Sequence, residues 1–307
     1  MPKLKDSARN YQPFRYPGGK TKLAKNLAFR ALLDPMLAGA GTFYEGFLGS
    51  AAITLDVALR YPTLSFVATD YDSTIAGFWQ LIGEGTEEQV KELLDLLAQP
   101  PTVGLFRALR ERGKQPEPLT LVERAYHAVF FNRTCFSGIA TAHPIGGYGQ
   151  QSKWTIDCRY NAPLLQKKIQ NLRRLLAGRL TVTCEDCFDW LQRIPAEVPL
   201  YLDPPYFVKG DSLYPVKMDE MQHGKLADLL ATRSNWIMSY DICDEIREKY
   251  TFAQMLEMGF RYSINGKKTN WKNSNEFLVV SPEIDTSAFE IKKAGMQPAS
   301  IDSPVAS

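Results

Sequence analysis

Val198-Pro199-Leu200-Tyr201-Leu202-Asp203-Pro204-Pro205-Tyr206 is the stretch on which the fold turns. Its first five residues form a short apolar run, the pattern of a buried strand. The run ends in a carboxylate, two ring-stiffened backbone units and an aromatic ring. A strand tip of that composition suits a planar base and its exocyclic amine. The same tetrapeptide also suits a Pro-rich turn with a packed Tyr206, so the rest of the chain has to decide.

Outward from this stretch, strands and helices alternate. Thr42–Glu45, Thr63–Thr69, Leu180–Cys184 and Asn235–Ser239 read as further strands. Helical runs follow at Ala51–Leu59, Ser73–Ile82 and Asp219–Ala231, and another precedes the first strand at Thr21–Leu33. Phe260–Ile264 and Glu276–Ser281 are placed to close the sheet as a hairpin around Asn265–Asn275. This order predicts an α/β fold with a largely parallel sheet and helices on both faces. Ligands of such sheets lie beyond the carboxyl ends of the strands.

A long interruption, residues 84–165, separates the second and third strands. It reads as helical at Glu87–Ala98 and Leu119–Phe131, then Gly-rich and irregular over Ser137–Ser152. A connection this long predicts an inserted subdomain. The expected organisation is a catalytic unit at 11–83 and 166–284, an inserted recognition subdomain at 84–165, and a disordered tail at 285–307. The net charge of +2 is unevenly spread: residues 101–180 carry 13 Lys/Arg against 4 Asp/Glu, leaving the remainder at −7. A basic segment in an acidic chain predicts a polyanionic partner for that segment, unless the charge is only a solvated helix face.

The five Cys (135, 158, 184, 187 and 243) include a lone C-x-x-C at Cys184 and Cys187. With no second pair and three His, two small buried thiols are expected rather than a zinc site. No apolar run has the length of a membrane span and residues 1–10 lack a signal core, so a cytoplasmic location is expected. His127, His143 and His223 lie far from the motifs and read as structural or solvated.

Three further motifs carry chemistry. Phe43-Tyr44-Glu45-Gly46-Phe47-Leu48-Gly49-Ser50 joins strand to helix through glycines, which let a ligand approach the backbone. Asp70 ends the next strand, where a carboxylate accepts from both hydroxyls of a ribose. Arg15-Tyr16-Pro17-Gly18-Gly19-Lys20-Thr21 is similar to the end of a phosphate-binding loop but lacks its earlier Gly and a preceding strand, which argues against an NTPase.

In combination, these motifs resemble Dam-type (D12 class) DNA adenine-N6 methyltransferases from about Arg15 to Ser281. Tyr16, Gly18 and Lys20 match the family's N-terminal Y-x-G-x-K motif, and Glu45 to Ser50 its F-x-G-x-G region. Asp70 matches the ribose-binding acid, Asp186 the acid after the third strand, and Asp203 to Tyr206 the DPPY motif. Asn132 to Ile139 resembles the DNA-contacting N-R-x-x-[FY]-N-G segment, and Asn275-Glu276-Phe277 the closing strand motif. Two departures stand out. Gly46 and Ala51 replace the family's Pro and last Gly. Ser137 and Thr141 stand where GATC-specific members carry Asn and Arg, and an Arg on guanine is the commonest specific base contact.

The resemblance implies a Rossmann-like seven-stranded methyltransferase sheet, S-adenosylmethionine as methyl donor, double-stranded DNA as substrate, and no metal. It implies cofactor contacts from Tyr16, Gly18, Lys20, Glu45, Phe47, Gly49, Ser50, Asp70 and Asp186. Catalysis on N6 of a flipped adenine falls to Asp203, Pro204, Pro205 and Tyr206. DNA contacts fall to Arg133, Phe136, Ser137, Trp154, Arg159, Tyr160 and Asn161, with Lys267, Lys268 and Lys272 as candidate phosphate contacts. A cognate restriction endonuclease is a further candidate partner. Cytosine-N4 or RNA adenine methylation, or DNA binding without transfer, remain the alternatives.

Overall fold

The computed structural model describes residues 10–15, 19–207, 218–241, 243–263 and 271–289, with backbone alone at 259–263 and 271–276. Its strands are β1 (Thr42–Gly46), β2 (Ser65–Asp70), β3 (Leu180–Cys184), β4 (Leu200–Leu202), β5 (Trp236–Asp241), β6 (Gln254–Ser263) and β7 (Trp271–Val280). They form one sheet in the order β3-β2-β1-β4-β5-β7-β6. The first five are parallel, and β7 runs antiparallel to both β5 and β6. The chain order reverses between β1 and β4, the point where such sheets open a crevice for ligands. The predicted α/β fold with a mostly parallel seven-stranded sheet is therefore the fold observed.

The strands obey a simple rule. β4 is three residues long and fully buried, and β5 is buried throughout. Strands covered on both faces carry continuous apolar sequence rather than alternation. At Gly46 a side chain has no room: a Cβ would lie 2.6 Å from Leu202 Cδ2 and 2.9 Å from Cys187 Sγ. That close approach brings β1, β4 and the helix after β3 to one point.

Helices α1 (Thr21–Ala24) and α2 (Leu27–Leu37) replace the single predicted helix at Thr21–Leu33. The break is at Asn26, whose side chain accepts from the Ala28 and Phe29 N–H groups and so starts a new helix. Helices α3 (Ala52–Arg60) and α4 (Ser73–Glu84) follow β1 and β2. Between α4 and β3 lie α5 (Glu87–Ala98), α6 (Val103–Arg112), α7 (Leu121–Thr134) and α8 (Ala162–Leu176). Capping boxes at Thr86/Gln89 and Thr120/Glu123 set the starts of α5 and α7. Phe106, Phe130, Phe131 and Tyr160 from this region share one buried cluster with Phe14, Phe78 and Trp79.

Helices α9 (Cys187–Arg193), α10 (Glu220–Ala231) and α11 (Asp244–Lys249) complete the other layer. Phe289, in the predicted tail, is fully buried, so at least its first turn is docked. Cys187 is buried as expected, whereas Cys184 is exposed at the end of β3. All five cysteines are free. Among the described residues, no helix is long and apolar enough to cross a membrane, and no cluster of His, Cys, Asp and Glu is arranged to hold a metal ion.

Candidate functional site

The tip of β1 runs into a loop that turns through positive φ three times, at Phe47 (55°), Gly49 (47°) and Ala51 (52°). Such backbone is rare for residues with a Cβ and marks a constrained site. Ala51 occupies the left-handed position directly before α3 and is fully buried. Ala51 therefore takes left-handed backbone at the place where the family resemblance calls for Gly. The Gly49 N–H donates to Asp70 Oδ2 at 2.7 Å, and the Gly49 carbonyl accepts from Trp79 Nε1 at 2.9 Å. These two bonds tie the loop to the tip of β2 and to α4.

Four carboxyl groups converge on this loop. Glu45 is buried and accepts twice from Thr54 on Oε2, from its N–H at 2.8 Å and from its hydroxyl. Burial pushes its carboxyl up to about 8, against the pull of the Thr54 bonds, and the neighbouring Asp203 charge adds to the rise. Asp70 is likewise raised by burial, to about 7, although Gly49 and Asp72 N–H groups bond its two oxygens. Asp186 starts α9 by accepting from the Phe188 N–H at 2.7 Å through Oδ1.

Asp203 leaves the tip of β4. Its Oδ1 meets Lys20 Nζ at 2.9 Å and accepts from the Ser239 hydroxyl at 2.9 Å. Lys20 is 4% exposed, and its ammonium also lies 4.7 Å from the centroid of the Tyr206 ring. The opposite support for Tyr206 is Tyr240, stacked at 5.9 Å and 17°. Tyr206 is 8% exposed, so it is a packed wall rather than an open platform. The Tyr240 hydroxyl in turn pairs with His223 Nδ1, and Asp241 accepts from the Phe207 N–H at 3.1 Å.

One cavity joins these groups. It is lined by Lys20, Glu45, Phe47, Gly49, Ser50, Asp70, Asp186, Asp203 and Pro205 among the predicted residues. Tyr16 and Gly18 lie outside the described residues, and Pro204 is buried beside the cavity. The sequence reading missed further lining residues, among them Leu48, Tyr71, Phe188, Met218 and Gln222. Phe188 was accessible to it in principle, two residues past Asp186 on the first turn of α9; Met218 and Gln222 arrive from a remote segment and carry no local signal.

The predicted DNA contacts divide. Phe136, Ser137, Trp154 and Arg159 line a second cleft, together with Arg15. Phe136 and Trp154 are 57% and 58% exposed, and Ser137 turns through φ 56° at the tip of a single 3-10 turn. Arg133 points the other way: its guanidinium donates to the Pro13 carbonyl, and burial, then the nearby Arg15 charge, pull it down to about 10. Tyr160 is in the core, with its hydroxyl donating to the Leu97 carbonyl at 3.2 Å. Asn161 is exposed and caps α8 through the Leu164 N–H at 3.0 Å. Asn132, within the N-R-x-x-F segment, clamps the Arg15 backbone at both its N–H (2.7 Å) and its carbonyl (3.0 Å). Lys267 and Lys268 lie outside the described residues, and Lys272 is placed on β7.

Comparison with known proteins bears on this geometry. No curated protein matches the chain. Among solved structures, precorrin-6y C5,15-methyltransferase from Geobacter metallireducens GS-15 is similar over 78% of this chain and 76% of its own, at 8% identity and a TM-score of 0.32. The family profile described as D12 class N6 adenine-specific DNA methyltransferase matches residues 16–264, which is most of the chain and spans both clefts, and the chain belongs to that family.

Proposed function

We propose that the chain is a site-specific adenine methyltransferase whose strand-tip cavity is a two-ligand site. Membership of the family implies methylation of adenine in DNA with S-adenosylmethionine as donor. The cavity's composition fits that cofactor: apolar walls from Phe47, Leu48 and Phe188 stand beside carboxyl acceptors at Asp70 and Asp186, over a glycine backbone. When bound, S-adenosylmethionine supplies an electrophilic methyl group on a sulfonium sulfur. Asp70 accepts from the ribose hydroxyls, and the Asp186 oxygen not used in capping accepts from the adenine amine.

The acceptor half is Asp203 to Tyr206. Base atoms inside a duplex are out of reach, so the target adenine enters extrahelically. Asp203 Oδ2 and the Pro204 carbonyl accept the two N6 protons. That localises the nitrogen lone pair and orients it for attack, and the fixed acceptors stabilise positive charge developing on N6. Tyr206 flanks the base, once the Lys20 ammonium shifts off the ring face. Residues 84–165 act as the target-recognition region, with Phe136, Ser137, Trp154 and Arg159 as its contact surface on double-stranded DNA.

The observation that carries this reading is the Lys20–Asp203 pair at 2.9 Å, opening into a cavity that also holds Asp70 and Asp186. Incubation with methyl-labelled S-adenosylmethionine and duplex DNA, followed by identification of the modified base, should return N6-methyladenine. Label confined to cytosine or RNA would overturn the reading. Asp203→Ala should lower transfer at least about 1,000-fold while DNA binding persists, since orientation and electrostatics supply most of the rate.

A further inference from the structure

Ser239 is fully buried on β5 and cannot touch a substrate, yet its hydroxyl reaches Asp203. Strands β4 and β5 pair in parallel with Leu202 opposite Met238, which sets the next residues, Asp203 and Ser239, side by side at the strand ends. The Ser239 hydroxyl lies 2.9 Å from Asp203 Oδ1 and 2.8 Å from the Tyr201 hydroxyl. A serine has one proton to donate. The Ser239 proton goes to Asp203 Oδ1, so Tyr201 must donate to Ser239. The order Tyr201 to Ser239 to Asp203 is therefore fixed. Burial, the largest cause, and the Asp203 charge raise the Tyr201 phenol well above its ordinary range, which keeps it a donor.

The consequence concerns the other oxygen. Lys20 and Ser239 both converge on Oδ1, and among the described residues no group bonds Oδ2. One carboxylate oxygen therefore takes both donors, and Asp203 lines the cavity with its twin left for a ligand. Lys20 alone would leave the carboxylate free to rotate about the shared contact, because an ammonium on a flexible stem acts as a point charge. A second donor from a rigid, central strand removes that freedom.

We infer that Ser239, held by Tyr201, is a positioning residue for methyl transfer: it locks the Asp203 carboxylate so that Oδ2 alone is presented to the target amine. The inference rests on the role given to Asp203 above. A hydrogen bond to a charged group is strong and directional, so its loss acts on orientation more than on binding.

The test compares Ser239→Ala, Ser239→Thr and Asp203→Ala in the full-length protein, measuring kcat, the KM for cofactor and for DNA, and Tm. Ser239→Ala should lower kcat by about 10- to 100-fold with both KM values within about threefold. Ser239→Thr, which keeps the hydroxyl, should recover most of that loss. Unchanged kcat in Ser239→Ala overturns the inference, as does equal impairment of the Ala and Thr variants. Should Ser239→Ala fail to fold, Ser239→Thr together with Tyr201→Phe carries the test: Tyr201→Phe must lower kcat with both KM values near wild type, and a wild-type kcat refutes the relay. Retained activity in Asp203→Ala would instead refute the reading of the site itself.

Discussion

At the strand tips, Glu45, Asp70, Asp186 and Asp203 face one cavity, with Lys20 bonded to the last of them. Between β2 and β3 the balance is inverted, yet many of the cations turn away from solvent. Arg110 reaches the Ala140 and Ala142 carbonyls, Arg112 forks onto Glu123, Arg133 reaches Pro13, and Arg173 reaches the Ile82 and Gly85 carbonyls. In the cavity, charge is held near a ligand site and pKa values move. Between β2 and β3 much of the charge is internal fastening, and exposed cations such as Lys153 and Arg159, beside Trp154, are left to face a ligand. A segment's net charge therefore overstates the surface it offers to a polyanion, because guanidinium groups also satisfy the backbone of long irregular loops.

The largest expected effect breaks this comparison if it fails. Arg110 donates to two loop carbonyls, contacts Cys135 Sγ at 3.3 Å, and sits 4.0 Å over the Phe131 ring. Arg110→Ala should destabilise the fold by about 3 kcal/mol, the sum of lost charged hydrogen bonds and a desolvated cation–π contact. Thermal unfolding should show a Tm lower by roughly 6 °C or more, while the salt dependence of DNA binding is unchanged. An unaltered Tm with a log K against log salt slope reduced by about one would make Arg110 a phosphate contact instead.

The next effect sharpens the other side. Glu45 titrates near 8 in the folded protein against an ordinary value of 4.5. Between those values the unfolded chain has lost a proton that the folded chain keeps. Stability contributed by this proton is present below pH 4.5 and declines as pH rises toward 8. Glu45→Gln removes that decline, so its stability relative to wild type should improve by about 2 kcal/mol between pH 6 and pH 8. Asp70, raised to about 7 by burial, keeps part of the slope in the variant. Urea midpoints at several pH values measure it, and parallel curves for the two proteins would show Glu45 to be ionised at neutral pH.

The two regions also differ in how far the sequence discloses them. Strand tips are legible because their chemistry is local: Gly46 ends β1 and Gly49 follows it, Asp70 ends β2, Asp186 follows β3, and Asp203 follows β4. The helix at Glu87–Ala98 has the predicted limits because its capping box and apolar period agree. Direction of a side chain is not local. Arg133 and Tyr160 sit in a stretch rich in basic and aromatic residues, and only tertiary packing turns one onto Pro13 and buries the other. The hairpin β6–β7 starts at Gln254, before the predicted Phe260, since pairing with β7 rather than apolar content sets its length. Met218 and Gln222 reach the cavity from the start of α10, and no spacing in the chain links them to Asp70.

The smallest effect tests whether the second cleft reads nucleic acid through its aromatic surface. Trp154 is 58% exposed, with the Arg159 guanidinium 6.0 Å and the Lys153 ammonium 5.7 Å from its ring. An exposed indole with cations along its face offers one free side, so base stacking there should supply about 1 kcal/mol, the low end of the usual range. Trp154→Ala should thus weaken binding to duplex DNA about fivefold without changing the salt slope, because the lost group is neutral. Arg159→Ala should weaken binding and lower the slope by about one. The double variant should lose less than the sum, since without the indole Arg159 has no shelf to hold it toward the phosphate. Cofactor affinity should stay at the wild-type value in all three, because these residues lie outside the strand-tip cavity. Additive losses would mean that Trp154 and Arg159 act independently, and unchanged DNA affinity would move the recognition surface away from this cleft.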